Sequence, residues 1–110
     1  MQRAKAGEIE GTGYDSASRM KNVTSHLLMT GFHYVYILES ERLPGHFYTG
    51  LTEDLADRLR RHNSGDVPHT AKFGPWKIKT AVAFRERESA VAFERYLKTA
   101  SGRAFAKKRL

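Results

Sequence analysis

In the stretch TEDLADRLRRHNSG, residues 52 to 65, a helical layout at 100° per residue sets Arg58 and His62 beside the apolar seam of Leu55 and Leu59, at about 60° and about 20° from Leu55. Arg58 and His62 stack one turn apart, while Arg60, Arg61 and Asp57 point outward. A surface helix needs no guanidinium and imidazole next to its buried stripe, so the pair invites a role in holding an anion such as a phosphate. The plain alternative is a snorkelling arginine and a half-buried histidine with satisfied hydrogen bonds. In ESAVAFERYLK, residues 88 to 98, Glu94 falls about 40° from Ala90 on the core-facing side, with Leu97 about 20° to the other. A carboxylate there is costly unless it meets a cation, a metal or a proton. Both a salt bridge to an arginine and a metal ligand remain open, and a single such carboxylate disfavours a two-metal site. The third group is aromatic: YVYILESERLPGHFYTG, residues 34 to 50, carries Tyr34, Tyr36 and Tyr48 and closes on Gly50.

The chain has 110 residues, room for one domain with one modest core, and 40% of them are hydrophobic, enough for a globular protein. It contains no cysteine, which excludes a disulfide framework, a thiolate zinc site and a thiol nucleophile. No apolar run approaches a membrane span and the first residues lack the apolar core of a secretory signal, so the expectation is a cytoplasmic protein without a membrane partner. The formal charge is +7, of which residues 1 to 31 hold four basic and three acidic side chains, leaving an excess of six for the rest. Such a balance suggests a polyanionic partner, although basic surfaces also serve solubility.

These residues need elements to position them. Residues 1 to 31 show neither alternation nor a sustained helical period and are expected to form a disordered extension, within which Met20 and Met29 are candidate later starts. From there the pattern predicts a strand at 33 to 39, a connection at 40 to 45 and a strand at 46 to 50. A helix at 53 to 63, a loop at 64 to 74, a strand at 75 to 84, a helix at 88 to 99 and a short helix at 103 to 109 follow. Thr52 stands where an N-cap belongs, with Glu53 and Asp54 in the first turn; Ser89 could cap the later helix, and Gly102 should stop it. The loop HNSGDVPHTAKFGPWK offers His69, Thr70 and Lys72 to a phosphate backbone, or is merely a connector. Trp76 is expected in the core. Arg103, Lys107, Lys108 and Arg109 form either a solvated face or part of a nucleic-acid footprint.

The order of these pieces resembles the GIY-YIG nuclease superfamily, and within it the small single-domain group similar to the N-terminal domain of excinuclease C. YVY at 34 to 36 stands for the first family triplet, with Tyr34 in place of glycine, and YTG at 48 to 50 for the second, with Thr49 in place of isoleucine or valine. Arg58, His62 and Glu94 match the family arginine, the His or Tyr one turn later and the metal-binding glutamate; the asparagine that many relatives carry near the end of the domain has no counterpart that can be placed. The resemblance covers residues 33 to 109. It implies an α+β domain over 32 to 110, a small three-stranded, mostly antiparallel sheet flanked by two or three helices. It also implies a metal-dependent endonuclease acting on nucleic acid, DNA being the favoured substrate. Tyr36, Tyr48, Arg58, His62 and Glu94 would be catalytic, with Tyr48 ahead of Tyr36 as the residue meeting the attacking water. Glu94 would hold one Mg²⁺ or Mn²⁺. Arg61, His69, Lys72, Lys98 and Arg103 are candidate nucleic-acid contacts, and a homodimer or a partner protein would supply targeting. The competing readings are a non-catalytic nucleic-acid-binding module of the same fold and a protein-interaction module.

Overall fold

The computed structural model describes residues 30–110, so the expected extension and both internal methionines lie outside the described residues, apart from Thr30 and Gly31, which form a turn. Strand β1 (His33–Ser40) runs up the middle of a three-stranded sheet of order β2-β1-β3, flanked by β2 (Phe47–Thr52) and β3 (Trp76–Phe84), both antiparallel to it. Helix α1 (Leu55–Ser64) follows β2; α2 (Arg87–Leu97) and α3 (Ala100–Arg109) follow β3. Gly45, at φ 92°, makes the connection between β1 and β2 possible in its left-handed conformation. Among the described residues no helix is long and apolar enough to cross a membrane.

β1 reads as a nearly continuous apolar run because both its faces are covered. Successive side chains of a strand point to opposite faces. Val35 and Ile37 accordingly pack with Ala90, Leu97, Phe93 and Phe84 under α2 and α3. Tyr36 and Leu38 pack with Trp76, Ile78, Tyr48, Leu55 and Leu59 under α1. Strand β3 serves both cores through a bulge: Ile37 pairs with Thr80 but Leu38 with Ile78, leaving Lys79 as the extra residue. Trp76 and Ile78 therefore face α1, and past Lys79 the side of Val82 and Phe84 faces α2.

Three local expectations are corrected. Thr52 does not cap α1, because it still pairs with Tyr34 in the ladder; Asp54 is the cap, accepting from Asp57 N at 3.0 Å, while the Thr52 hydroxyl accepts from Asp54 N at 3.1 Å. Ser89 does not cap α2, which starts two residues earlier after Glu86, with no side-chain cap bond. Gly102 does not stop α2. That helix ends at Lys98 in right-handed geometry, and Thr99 caps α3 at once by accepting from Gly102 N at 3.0 Å. Gly102 lies in the first turn of α3, pressed so tightly on the end of α2 that a Cβ would overlap the Tyr96 carbonyl.

No rotamer change relieves an overlap with backbone. Gly102→Ala should therefore lower stability by about 1–3 kcal/mol in urea unfolding, and an unchanged midpoint would show that the α2–α3 corner opens freely.

Candidate active site

Tyr36 is paired with Gly50 across the β1–β2 ladder, and its ring occupies the space a side chain there would take, since a Cβ on Gly50 would overlap the phenol. From that bed the hydroxyl reaches His62 Nε2 at 2.9 Å, and both residues are 1% exposed. Gly65, at φ 87°, ends α1 by donating to the Arg61 and His62 carbonyls and so closes the turn that carries the imidazole. On the far side of the ring, His62 Nδ1 lies 2.8 Å from Thr70 Oγ1, whose own proton goes to the Val67 carbonyl at 3.2 Å. With that proton committed, Thr70 can only accept. Nδ1 must then donate, which assigns the tautomer and leaves Nε2 to accept the Tyr36 proton.

Burial pushes the Tyr36 phenol up to about 12, opposed by the Arg58 guanidinium beside it and reinforced by Tyr48 and by the Glu94 charge. Burial also lowers the His62 pKa from its ordinary 6.5, helped by Arg58. Phenol and imidazole are thus both neutral near pH 7, as the bond between them requires. Tyr48 completes the cluster: its ring is 4.9 Å from His62 and 6.4 Å from Tyr36, half-buried, and no hydrogen bond within the described residues engages its hydroxyl. Arg58, also half-buried, is steadied by the Leu51 carbonyl at 3.5 Å and leans on the Tyr36 oxygen.

Glu94 comes from α2, on the other side of the sheet, 21% exposed and paired through Oε2 with Lys98 Nζ at 2.8 Å. Its partner is an exposed lysine rather than the arginine considered from the sequence. No donor among the described residues takes its second oxygen, so the carboxylate can offer a bond to a cation. Among the described residues no three His, Asp or Glu side chains gather into a metal cage, and a hard cation at Glu94 would keep a shell made mostly of water.

Tyr36, Tyr48, Arg58 and His62 are therefore brought together, with Glu94 close enough for its charge to act on the Tyr36 phenol. The candidate nucleic-acid contacts divide. Arg61 is tied to Asp57 at 2.9 Å, His69 and Lys72 are exposed on the loop after α1, and Lys98 and Arg103 stand at the α2–α3 corner. Thr70, offered from the sequence to a phosphate backbone, is instead buried with its hydroxyl engaged by His62 and the Val67 carbonyl. Its part in orienting His62 has no periodic trace, because the contact is made by a loop that Asn63 and Trp76 fold back through bonds of 2.6 and 3.1 Å, with Trp76 Nε1 donating to the Thr70 carbonyl at 2.9 Å.

The family model described as the GIY-YIG catalytic domain matches residues 32–109. Over 72 residues the chain is 39% identical to a UPF0213 protein of Halalkalibacterium halodurans, covering 64% of this chain and 74% of that protein. A UPF0213 protein of Streptococcus pneumoniae serotype 4 is 38% identical over 66 residues, covering 59% and 65%. The structure-specific endonuclease subunit SLX1 of Scheffersomyces stipitis is 39% identical over 74 residues, which cover 61% of this chain but only 22% of that protein. No solved structure matches.

Because the folded-state pKa of His62 is depressed, the unfolded chain binds more protons below pH 6.5, and the stabilising contribution present above that pH is lost as pH falls toward the lowered value. Melting followed from pH 7.5 to 5 should fall for the wild type and fall less for His62→Gln; parallel curves would mean that His62 is not held neutral. Gly50→Ala should displace the Tyr36 ring, cutting nucleic-acid cleavage on the order of 10²-fold. Retention of wild-type cleavage would break the link between Gly50 and the site.

Proposed function

Since the chain belongs to the GIY-YIG catalytic domain family, and is thereby a nuclease acting on nucleic acid, we propose that it is a metal-dependent endonuclease that hydrolyses DNA phosphodiester bonds by water attack within residues 32–110. The observation that carries this reading is the division of labour around His62. One tyrosine is sealed and neutral, one has an unengaged hydroxyl, a half-buried arginine stands between strand and helix, and a carboxylate keeps one oxygen unpaired.

In this reading water adds to phosphorus as the bond to the 3′ oxygen breaks. Arg58, anchored on the Leu51 carbonyl and the Tyr36 oxygen, presents its remaining N–H groups to the phosphoryl oxygens, a charge-assisted contact that strengthens as negative charge builds there. Tyr48 orients the attacking water and, once its own phenolic proton has passed to solvent, takes up the proton the water loses, because its hydroxyl is the one not committed inside the protein; the leaving 3′ oxygen draws its proton from solvent. With its phenol pushed up to about 12, Tyr36 is a poor proton acceptor at neutral pH; it positions Arg58 and receives its own orientation from His62. A divalent cation, Mg²⁺ or Mn²⁺, would be held by Glu94 and, when bound, would supply positive charge to the phosphate and the leaving oxygen. The SLX1 relatives are named as subunits, and a second copy or a partner protein would give this small domain its targeting.

Cleavage of supercoiled plasmid and of branched oligonucleotides, with and without Mg²⁺ or Mn²⁺, tests the reading directly. Wild type should nick only with metal, and Glu94→Ala and Arg58→Ala, each folded by its melting curve, should lose at least about 10²-fold in rate. DNA held in a gel shift but never cut, or variants cutting like wild type, would reduce the chain to a nucleic-acid-binding module.

A further inference from the structure

A recess lies on the α2–α3 face of the sheet, between the β1–β2 hairpin and the α2–α3 corner, with a volume of about 740 Å³. Its floor is apolar, made by Ile37, Leu97 and Ala106. Around it stand Lys79, Lys98, Arg103 and Lys107, and no acidic side chain among the described residues lines it. Phe47 lies at its mouth, 50% exposed, with Lys79 Nζ 5.7 Å from the ring centroid.

Two features of the fold build this site. The bulge in β3 makes Lys79 the unpaired residue and aims its amine across β1 toward Phe47. The glycine-tight corner between α2 and α3 brings Arg103 back onto the Lys98 carbonyl at 2.7 Å, which fixes one guanidinium nitrogen and leaves the others to face the recess. The recess borders residues of the candidate active site: Lys98 is at once its wall and the partner of Glu94, and Tyr48, whose ring packs on the α1 side, is among the residues that line it.

Resting on the nuclease reading, we propose that this recess binds an unpaired segment of the nucleic-acid substrate next to the bond to be cut, one base stacking on Phe47 over the apolar floor and its flanking phosphates lying on Lys79, Lys98, Arg103 and Lys107. Charge alone would suit any polyanion. A duplex keeps its bases stacked inside and offers an apolar recess nothing, whereas a single strand can splay a base onto an aromatic platform while its backbone follows the cations. A position beside Glu94 then makes the junction between paired and unpaired strand the natural place of cleavage.

Binding of a fluorescent single-stranded oligothymidylate and of a duplex of equal length, measured by anisotropy in EDTA over a salt series, tests this without requiring turnover. Phe47→Leu should weaken single-strand binding by about 10-fold with little change for the duplex and an unchanged salt slope, and Phe47→Tyr should restore it. The double variant Lys79→Gln, Lys107→Gln should weaken single-strand binding and flatten its salt slope by about 1.4, since each phosphate no longer neutralised is worth about 0.7. Lys108→Gln, outside the recess, should do neither to a comparable degree. Equal losses for single strand and duplex, a Lys108→Gln effect as large as the double variant's, or an oligoglutamate that competes as well as the oligothymidylate would each overturn the proposal. If the recess variants bind normally while wild type cuts DNA, the proposal fails and the nuclease reading stands; if wild type neither binds nor cuts any nucleic acid, the nuclease reading itself fails.

Discussion

The hydrogen bond between Tyr36 and His62 is the constraint on which the rest of this domain is arranged. A phenol and an imidazole placed in the dry seam between a sheet and a helix are tolerated only when their polar atoms are satisfied, and here each requirement recruits another part of the chain. The phenol needs a bed, which Gly50 provides by having no side chain. The imidazole needs an acceptor for its second nitrogen, and Thr70 can be that acceptor because Val67 takes its proton. Strand, helix and loop are thereby tied to a single polar chain in the core. The same chain sets the direction of the Tyr36 hydroxyl and turns its acceptor side to Arg58, so the structural requirement and the chemical one are met by one set of bonds.

A sheet of three strands has to cover two cores with little material. β1 does so by being apolar on both faces, and β3 by changing face at Lys79. The functional groups exploit this economy. The tyrosines and His62 belong to the α1 side, Glu94 to a helix packed on the other, yet α2 lies against both β1 and β2 and the Glu94 charge is felt at the Tyr36 phenol. The narrow sheet leaves groups from both faces within electrostatic reach of the Tyr36 phenol.

Element types were legible from the sequence because strand alternation and the helical seams of Leu55, Leu59, Ala90 and Leu97 are strong local patterns. Helix ends were less so. Thr52 has the chemistry of a cap but is held by the ladder, Ser89 lies inside its helix, and Gly102 serves close packing rather than termination. The helical layout rightly placed Arg58 and His62 beside the seam, but His62 proves fully buried, which its two partners off the helix, Tyr36 and Thr70, explain. The pairing of Glu94 with Lys98 is a local four-residue spacing and could have been read; the Thr70 contact and the recess could not, since both arise from chain reversals and a register shift with no periodic signature.

The distribution of charge carries the last step. On α1, Arg60 and Arg61 share the one carboxylate of Asp57, so both outward guanidiniums are engaged by the helix itself. Among the described residues, Lys98 alone of the cations at the α2–α3 corner meets a carboxylate, and Lys79, Arg103 and Lys107 face one recess that none of the described acids lines. A field of one sign beside a cleavage site draws phosphate toward it and raises the rate of encounter. Charge does not discriminate between forms of nucleic acid, however, and the apolar floor with its exposed ring does. Placed together near Glu94, the two properties make the corner more than a generic basic surface: they let a small domain distinguish a strand whose bases are free to stack on Phe47 from one whose bases stay stacked in a duplex.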